Sequence, residues 1–215
     1  ADTQRALQRL AHYWRKRHDV GVVGVTGSVG KTTTKEVIAS VLSQVFLVLR
    51  NERNYNTEIG LPLSLLRLTA EHRWAVMEMG MYARGEIAAL AKMAAPQIGV
   101  VTNVGPMHLE RLGTIENIAR AKGELVRALP ADGWAVLNGD DPLVRKMRSR
   151  ARAVYYGLGS SNDYQATDIH VDGFDGVRFT LRFAGQSIPL ATPLLGKHNV
   201  YACLAAAAVG HIAGL

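Results

Sequence analysis

The chain has 215 residues, 48% of them hydrophobic and 20% charged, with a formal net charge of +7 and a pI of about 9.8. This is room for one large domain with a core of ordinary size, and apolar runs such as 204–209 fall far short of the ~20 residues that a membrane-spanning helix needs. The single cysteine, Cys203, excludes an internal disulfide and reads as a small buried hydrophobe, which points to a reducing, cytoplasmic setting.

The first residues, ADTQRALQRL, contain no apolar signal-peptide core, and the absence of an initial Met predicts a trimmed N-terminus. Leu7, Leu10, Ala11 and Trp14 fall on one stripe and predict an amphipathic helix over 3–17. Apolar runs at 20–25, 45–49, 74–79, 97–104, 133–137 and 152–156 then predict buried strands. Helical stretches at 32–43, 61–68, 85–94, 114–129 and 141–149 separate or follow them. Continuous apolar strands between helices predict an α/β fold with a mostly parallel sheet, flanked by helices on both faces. Beyond Gly157 the pattern changes to period-two alternation over 166–172, 176–184 and 187–191, punctuated by Gly173, Gly176 and Gly185. These runs predict a small appended antiparallel sheet, and a last helix is expected over 198–213. Residues 1–18 read as an N-terminal linker helix and 19–215 as the core domain.

The basic balance fits nucleic acid, a membrane surface or acidic small molecules. Its densest groups are 15–17 and the set Arg145, Lys146, Arg148, Arg150 and Arg152. No aromatic residues interleave with the second group as a base-stacking platform requires. That group reads as a solvated helix face, no nucleic-acid partner is expected, and anionic nucleotides account for the positive field.

The run Gly24-Val-Thr-Gly-Ser-Val-Gly-Lys-Thr32 matches the phosphate-binding pattern G-x-x-x-x-G-K-[ST], between an apolar strand and a helix. Its glycines let backbone N–H groups turn toward phosphate oxygens, and the following helix adds its positive end. Lys31 is expected to neutralise the β- and γ-phosphates and Thr32 to offer its hydroxyl to Mg²⁺. Thr26, Gly27, Ser28, Val29, Gly30, Lys31, Thr32 and Thr33 form the expected nucleotide-binding set, with Asn138, Asp141 and Asn199 added from later segments.

Glu78 ends an apolar strand, so its carboxylate should emerge at the carboxyl edge of the sheet, where ligand sites of such folds gather. A lone buried acid needs a cation or hydrogen bonds, and either a metal beside the triphosphate or a neighbouring Arg or Lys would serve. His108, in the loop after the next strand, reaches the same edge as either a metal ligand or a surface residue. Lys122 lies on the stripe of Ile115, Ile118, Leu125, Val126 and Leu129. Facing inward, its amine would be desolvated, its pKa would fall, and the neutral amine could take up CO₂ as a metal-binding carbamate. Alternatively its stem reaches the surface or its ammonium pairs with a carboxylate, and periodicity alone favours this second reading. Asn54, Asn56, Thr57 and Glu58 form a polar loop before Pro62. Asp141-Pro142 suits a helix cap, while Asn199 could cap the last helix or touch a base.

The segments GVTGSVGKTTTKE, NYNTEIGLPLSLL, AVMEMGMYARGEI, TNVGPMHLERLGT, ARAKGEL, VLNGDDP and GKHNVYACLAA together resemble the central domain of the Mur ligases, the ATP-dependent amide-forming enzymes of peptidoglycan synthesis. The similarity runs from about Val20 to Leu215 and is strongest to the D-alanyl-D-alanine-adding branch. It implies ATP and two Mg²⁺ sites, with Thr32 and Glu78 at one and His108 and a carbamylated Lys122 at the other. The resemblance reverses the balance for Lys122 and matches Asn199 to an adenine-side asparagine. Lys31, Glu78, His108 and Lys122 are the implied catalytic set. It further implies a UDP-MurNAc-peptide and D-Ala-D-Ala as substrates of the full-length enzyme, acting as a cytoplasmic monomer. A second asparagine, common in the family three residues after the His-Asn pair, is Ala202 here, which puts an adenine contact in doubt. Family members also carry a domain before and a domain after this core, so the chain is expected to be an excised central domain. A folylpolyglutamate or cyanophycin synthetase, a P-loop NTPase switch, and a nucleotide-binding module without catalysis remain as rival readings.

Overall fold

A computed structural model describes residues 2–52, 54–107 and 109–215. Helix α1 (Thr3–Lys16) begins at Asp2, whose side chain accepts the Arg5 N–H as a cap. Its inward face differs from the expected stripe, since Ala11 and Arg15 are buried whereas Leu10 is 52% exposed. Arg15 donates from Nε to Ala94 O, and Trp14 Nε1 donates to Leu68 O, so the helix is pinned by polar bonds as well as apolar contact.

The core alternates as its periodicity predicts: β1 (Gly21–Thr26), α2 (Lys31–Leu42), β2 (Val48–Arg50), α3 (Gly60–Leu65), β3 (Trp74–Glu78), α4 (Glu86–Ala94) and β4 (Ile98–Val101). There follow α5 (Leu109–Leu112), α6 (Ile115–Ala128), β5 (Trp134–Asn138), α7 (Pro142–Arg145) and β6 (Arg152–Gly157). The expected 45–49 strand starts later, because residues 43–46 still close turns onto the carbonyls of α2. The 97–104 run is strand only over 98–101, since Thr102, Asn103 and Val104 bond to the phosphate loop and to Asp141.

The expected helix over 141–149 is the single turn α7, which corrects the reading of the nearby cations as a helix face. Several of these arginines instead reach carbonyls or rings. Arg145 binds Gly139 O and Ser161 O, Arg150 binds Leu129 O, and Arg152 lies 5.2 Å from the Trp134 ring centroid.

Strands β7 (Tyr164–Val171), β8 (Val177–Phe183) and β9 (Gln186–Thr192) form the antiparallel ribbon, and α8 (Val200–Ile212) closes the chain. Among the described residues the strands make one nine-stranded sheet, ordered β2-β3-β1-β4-β5-β6-β7-β8-β9. The ribbon therefore extends the parallel sheet at its edge. The joint is parallel and short, Tyr156 opposite Tyr164 and Gly157 opposite Gln165, so β7 starts where β6 ends. This offset permits a parallel pair without the long crossover that full overlap demands.

Successive side chains of β1 serve two cores, Val23 and Val25 facing α2 and α8, and Val22 facing the layer of α1, α3, α4 and α6. Helix α8 is apolar nearly all round, as suits its burial among α2 and four strands. Cys203 is partly buried against that cluster, and burial pushes its thiol pKa up. Among the described residues no helix is long and apolar enough to cross a membrane.

Candidate functional site

Chain direction of travel across the sheet reverses between β1 and β4: β1 is followed by strands on one side, β4 by β5 on the other. Loops that leave the carboxyl ends of such strands part and open a crevice. The loop 27–30 after β1 and the loop 102–107 after β4 meet there. Ser28 N donates to Asn103 O at 3.0 Å, Val29 N donates to Asn103 Oδ1 at 2.9 Å, and Thr102 Oγ1 donates to Val29 O at 2.7 Å. Gly27 has φ +151, and a Cβ there would lie 1.9 Å from Thr102 Oγ1, so this close approach admits only glycine. Gly30 (φ +81) sits at the N-cap of α2 in the left-handed region, which turns the chain into the helix with its N–H groups facing outward.

Two cavities flank this loop. One, of about 280 Å³, has Gly27, Ser28, Lys31, Asn56, Tyr82 and Lys122 in its lining. The other, of about 360 Å³, includes Gly30, Thr33, Asn138, Asn199, Tyr201 and Ala202.

Glu78 is 2% exposed and holds two side-chain donors: Thr32 Oγ1 to Oε2 and Asn56 Nδ2 to Oε1, each at 2.8 Å. The alternative of a direct Arg or Lys ion pair is not found among the described residues. Lys31 donates to Ser28 O at 3.0 Å. Burial lowers its pKa, and the nearby Glu78 opposes that shift. Lys122 is 3% exposed, so its stem does not reach the surface, and its ammonium has no ion pair or hydrogen bond among the described residues. Burial first, and the charge of Lys31 second, bring its pKa down to about 7. His108 lies outside the described residues.

Among the described residues no three His, Cys, Asp or Glu side chains converge into a self-sufficient metal site. The donors present are a carboxylate and a hydroxyl already in contact beside a phosphate loop. That set suits Mg²⁺, a hard cation that takes one or two carboxylates and completes its shell with phosphates and water.

The other nucleotide-binding candidates divide. Thr26 is buried and its hydroxyl donates to Met79 O at 2.9 Å. Thr33 and Asn138 line the second cavity; Asn138 Nδ2 donates to Thr102 O and its Oδ1 accepts the Asp140 N–H. Asp141 accepts N–H groups from Leu143 and Val144 as the α7 cap, and its other oxygen accepts Val104 N–H. Capping and loop anchoring thus account for its bonds. Asn199 makes no cap bond to α8; its Nδ2 donates to Leu195 O at 2.8 Å while the residue lines the cavity.

Sequence reasoning passed over Asp140, Asn51 and Lys35. Asp140 accepts Leu158 N–H, Gly159 N–H, Asn162 Nδ2 and the Tyr201 hydroxyl, and so folds the 158–163 connection beside the second cavity. Burial alone would raise its pKa, but these donors hold it below the usual carboxylate range. Burial and this bond push Tyr201 up to about 12. Lys35 was within reach of the argument applied to Lys122, since Lys35, Ile38, Ala39 and Leu42 share one helical stripe.

Fold and crevice together define a P-loop nucleotide-binding α/β domain. The chain belongs to the Mur ligase family, whose middle-domain profile matches residues 25–210. It is 42% identical over 214 residues to the UDP-N-acetylmuramoyl-tripeptide–D-alanyl-D-alanine ligase of Bacillus subtilis (strain 168), covering 100% of this chain and 46% of that protein. It superposes on MurF from Acinetobacter baumannii with a TM-score of 0.93 at 34% identity, covering 100% of this chain and 48% of the other. MurF ligase from Thermotoga maritima, solved in complex with ADP, gives 0.90 at 30% identity, covering 100% and 50%. The chain spans about half the length of the curated relatives it matches.

Proposed function

We propose that this chain is the ATP-binding core of the ligase that adds D-Ala-D-Ala to a UDP-MurNAc-tripeptide, a cytoplasmic and monomeric enzyme of peptidoglycan precursor synthesis. The observation that carries the reading is Lys122, a residue 3% exposed whose amine makes no ion pair or hydrogen bond among the described residues and opens on a cavity shared with Lys31 of the phosphate loop. A P-loop switch or a passive binding module gives no reason for that lysine. The relatives named for D-Ala-D-Ala addition favour this branch over a folylpolyglutamate or cyanophycin synthetase.

In the proposed reaction the substrate carboxylate attacks the γ-phosphorus of ATP, the bond to the β-bridging oxygen breaks, and ADP leaves an acyl phosphate. The amine of D-Ala-D-Ala then attacks the acyl carbon and expels phosphate, with loss of one proton. The N–H groups of 27–32 cradle the phosphates and Lys31 offsets charge on the transferring group. Thr32 and Glu78 would hold one Mg²⁺, and His108 with Lys122 a second; the ions supply electrostatic stabilisation of the phosphoryl oxygens. For this role the neutral Lys122 amine adds to CO₂, forming an N–C bond and losing a proton to give a carbamate. Asn138, Asn199 and Thr33 border the nucleoside side.

Ligation by the full-length enzyme, with tripeptide-type and folate-type acceptors compared, tests the branch. Lys122→Ala is expected to lower turnover at least about a thousandfold, with bicarbonate giving no rescue. Full activity in that variant sinks the assignment.

A further inference from the structure

Glu78 can serve a cation only if its main chain is held at the end of β3, and there β1 still pairs with it on one side while β2 has stopped pairing on the other. Strand β2 pairs with β3 up to Arg50, opposite Val76, and then turns away toward the Asn56 loop. Beyond that rung the side chain of Asn51 takes over. Its Oδ1 accepts the Glu78 N–H at 2.8 Å and its Nδ2 donates to Glu78 O at 3.0 Å. One side-chain amide thereby offers the acceptor and the donor that a neighbouring strand would offer. The same Nδ2 donates to Tyr55 O at 2.8 Å, next to Asn56, which holds Glu78 Oε1 and whose carbonyl accepts the Gly80 N–H.

Asn51 is fully buried, and so is the lysine that fixes it. Lys35 Nζ donates to Asn51 O at 2.7 Å and contacts Glu36 Oε1 at 3.0 Å, while Arg50 closes on the other oxygen of Glu36 at 2.8 Å. Lys35 follows Thr32 by three residues on α2, so one helix carries both the hydroxyl on Glu78 and the strut behind it. A fully buried ammonium is costly unless its donors are used. Keeping one here, on a backbone carbonyl, fixes Asn51 more firmly than packing alone.

We propose that Asn51, held by Lys35, is a positioning residue for Mg²⁺·nucleotide binding: it substitutes for the absent ladder rung and aims the Glu78 carboxylate at the ion beside Thr32. The proposal rests on the reading of Glu78 and Thr32 as Mg²⁺ ligands. Outer-shell partners of this kind typically change metal affinity by about 10–100-fold when removed.

The test is calorimetric titration of the 215-residue chain with ATP, in Mg²⁺ and in EDTA, the ratio of the two affinities giving the magnesium enhancement. Asn51→Leu is expected to lower that enhancement at least about tenfold, and Lys35→Met by about threefold or more, with EDTA affinity within about twofold of the parent. Circular dichroism checks folding, and if Asn51→Leu does not fold, Lys35→Met decides. A purely structural role would lower both affinities alike, and that result, or an unchanged enhancement in the folded variants, overturns the proposal. A parent chain whose ATP binding is indifferent to Mg²⁺ would overturn the Glu78–Thr32 reading beneath it, a failure visible before any variant is made.

Discussion

On the side of the phosphate loop that faces Lys122, a buried carboxylate, Glu78, is held by two other side chains; on the side that faces Asn199, the polar side chains bond mostly to the main chain. Thr32 and Asn56 hold Glu78 directly, Glu78 acts on Lys31, and Lys31 shares its cavity with Lys122. Across the loop, Asn138, Asp141 and Asn199 are occupied by carbonyls and N–H groups of the connections around them, and Asp140 by two N–H groups with the side chains of Asn162 and Tyr201. The first flank keeps charge desolvated, where electrostatic interactions are strong. The second uses polar groups to shape loops. On the proposed function, the contrast separates a flank for phosphoryl chemistry from one that walls the nucleoside.

Variants on the two flanks should therefore fail differently. The largest effect on nucleotide binding belongs to the phosphate loop between them. Gly27→Ala places a methyl group against Thr102 and should lower ATP affinity about a hundredfold or more, with a loss of about 2 kcal/mol in stability by denaturant unfolding. Retained affinity would mean that the loop has another conformation available.

Glu78→Gln comes next. It removes the charge and keeps the shape, so Mg²⁺-dependent affinity should fall about tenfold to a hundredfold while affinity in EDTA changes little. An equal loss in both conditions would make Glu78 part of the scaffold and blur the contrast.

Asp140→Asn should have the smallest effect on binding, about threefold or less, and should act on stability by about 1 kcal/mol. Its folded carboxyl lies below the usual range, so its contribution is present above the unfolded value near 3.9 and fades as pH falls through the folded value. Acid unfolding curves of parent and variant should thus begin to draw together below about pH 4 and meet only once the pH has passed the folded value. A variant that loses ATP binding at pH 7 and keeps its stability would place Asp140 with the ligand instead.

Much of this was legible from local pattern. The strand–loop–helix run around Gly24–Thr32 is contiguous, and its glycines need positive φ or close approach, which few other residues allow. The ribbon after Gly157 showed in its alternation, because burial repeats along an element with the element's own period; spacing put Lys122 on the buried stripe of its helix but favoured a surface-reaching or paired ammonium, and the family resemblance reversed that. The same rule, carried to α2, reaches Lys35. It misjudged 141–149 because spacing cannot reveal that, past Lys146, side chains such as Ser149 and Arg150 bind the end of α6 and leave no room for another turn.

Sequence by itself thus determined the phosphate cradle, the α/β alternation and the inward face that carries Lys122, each a property of neighbouring residues. Only the tertiary structure decided what meets at the crevice. Asn51 reaches Glu78 because β2 lies beside β3 and ends short, and Asp140 gathers the 158–163 loop because β7 begins where β6 stops. Strand order and strand length come from packing the whole sheet between its helical layers, and a bond across 27 residues of chain leaves no period in the sequence.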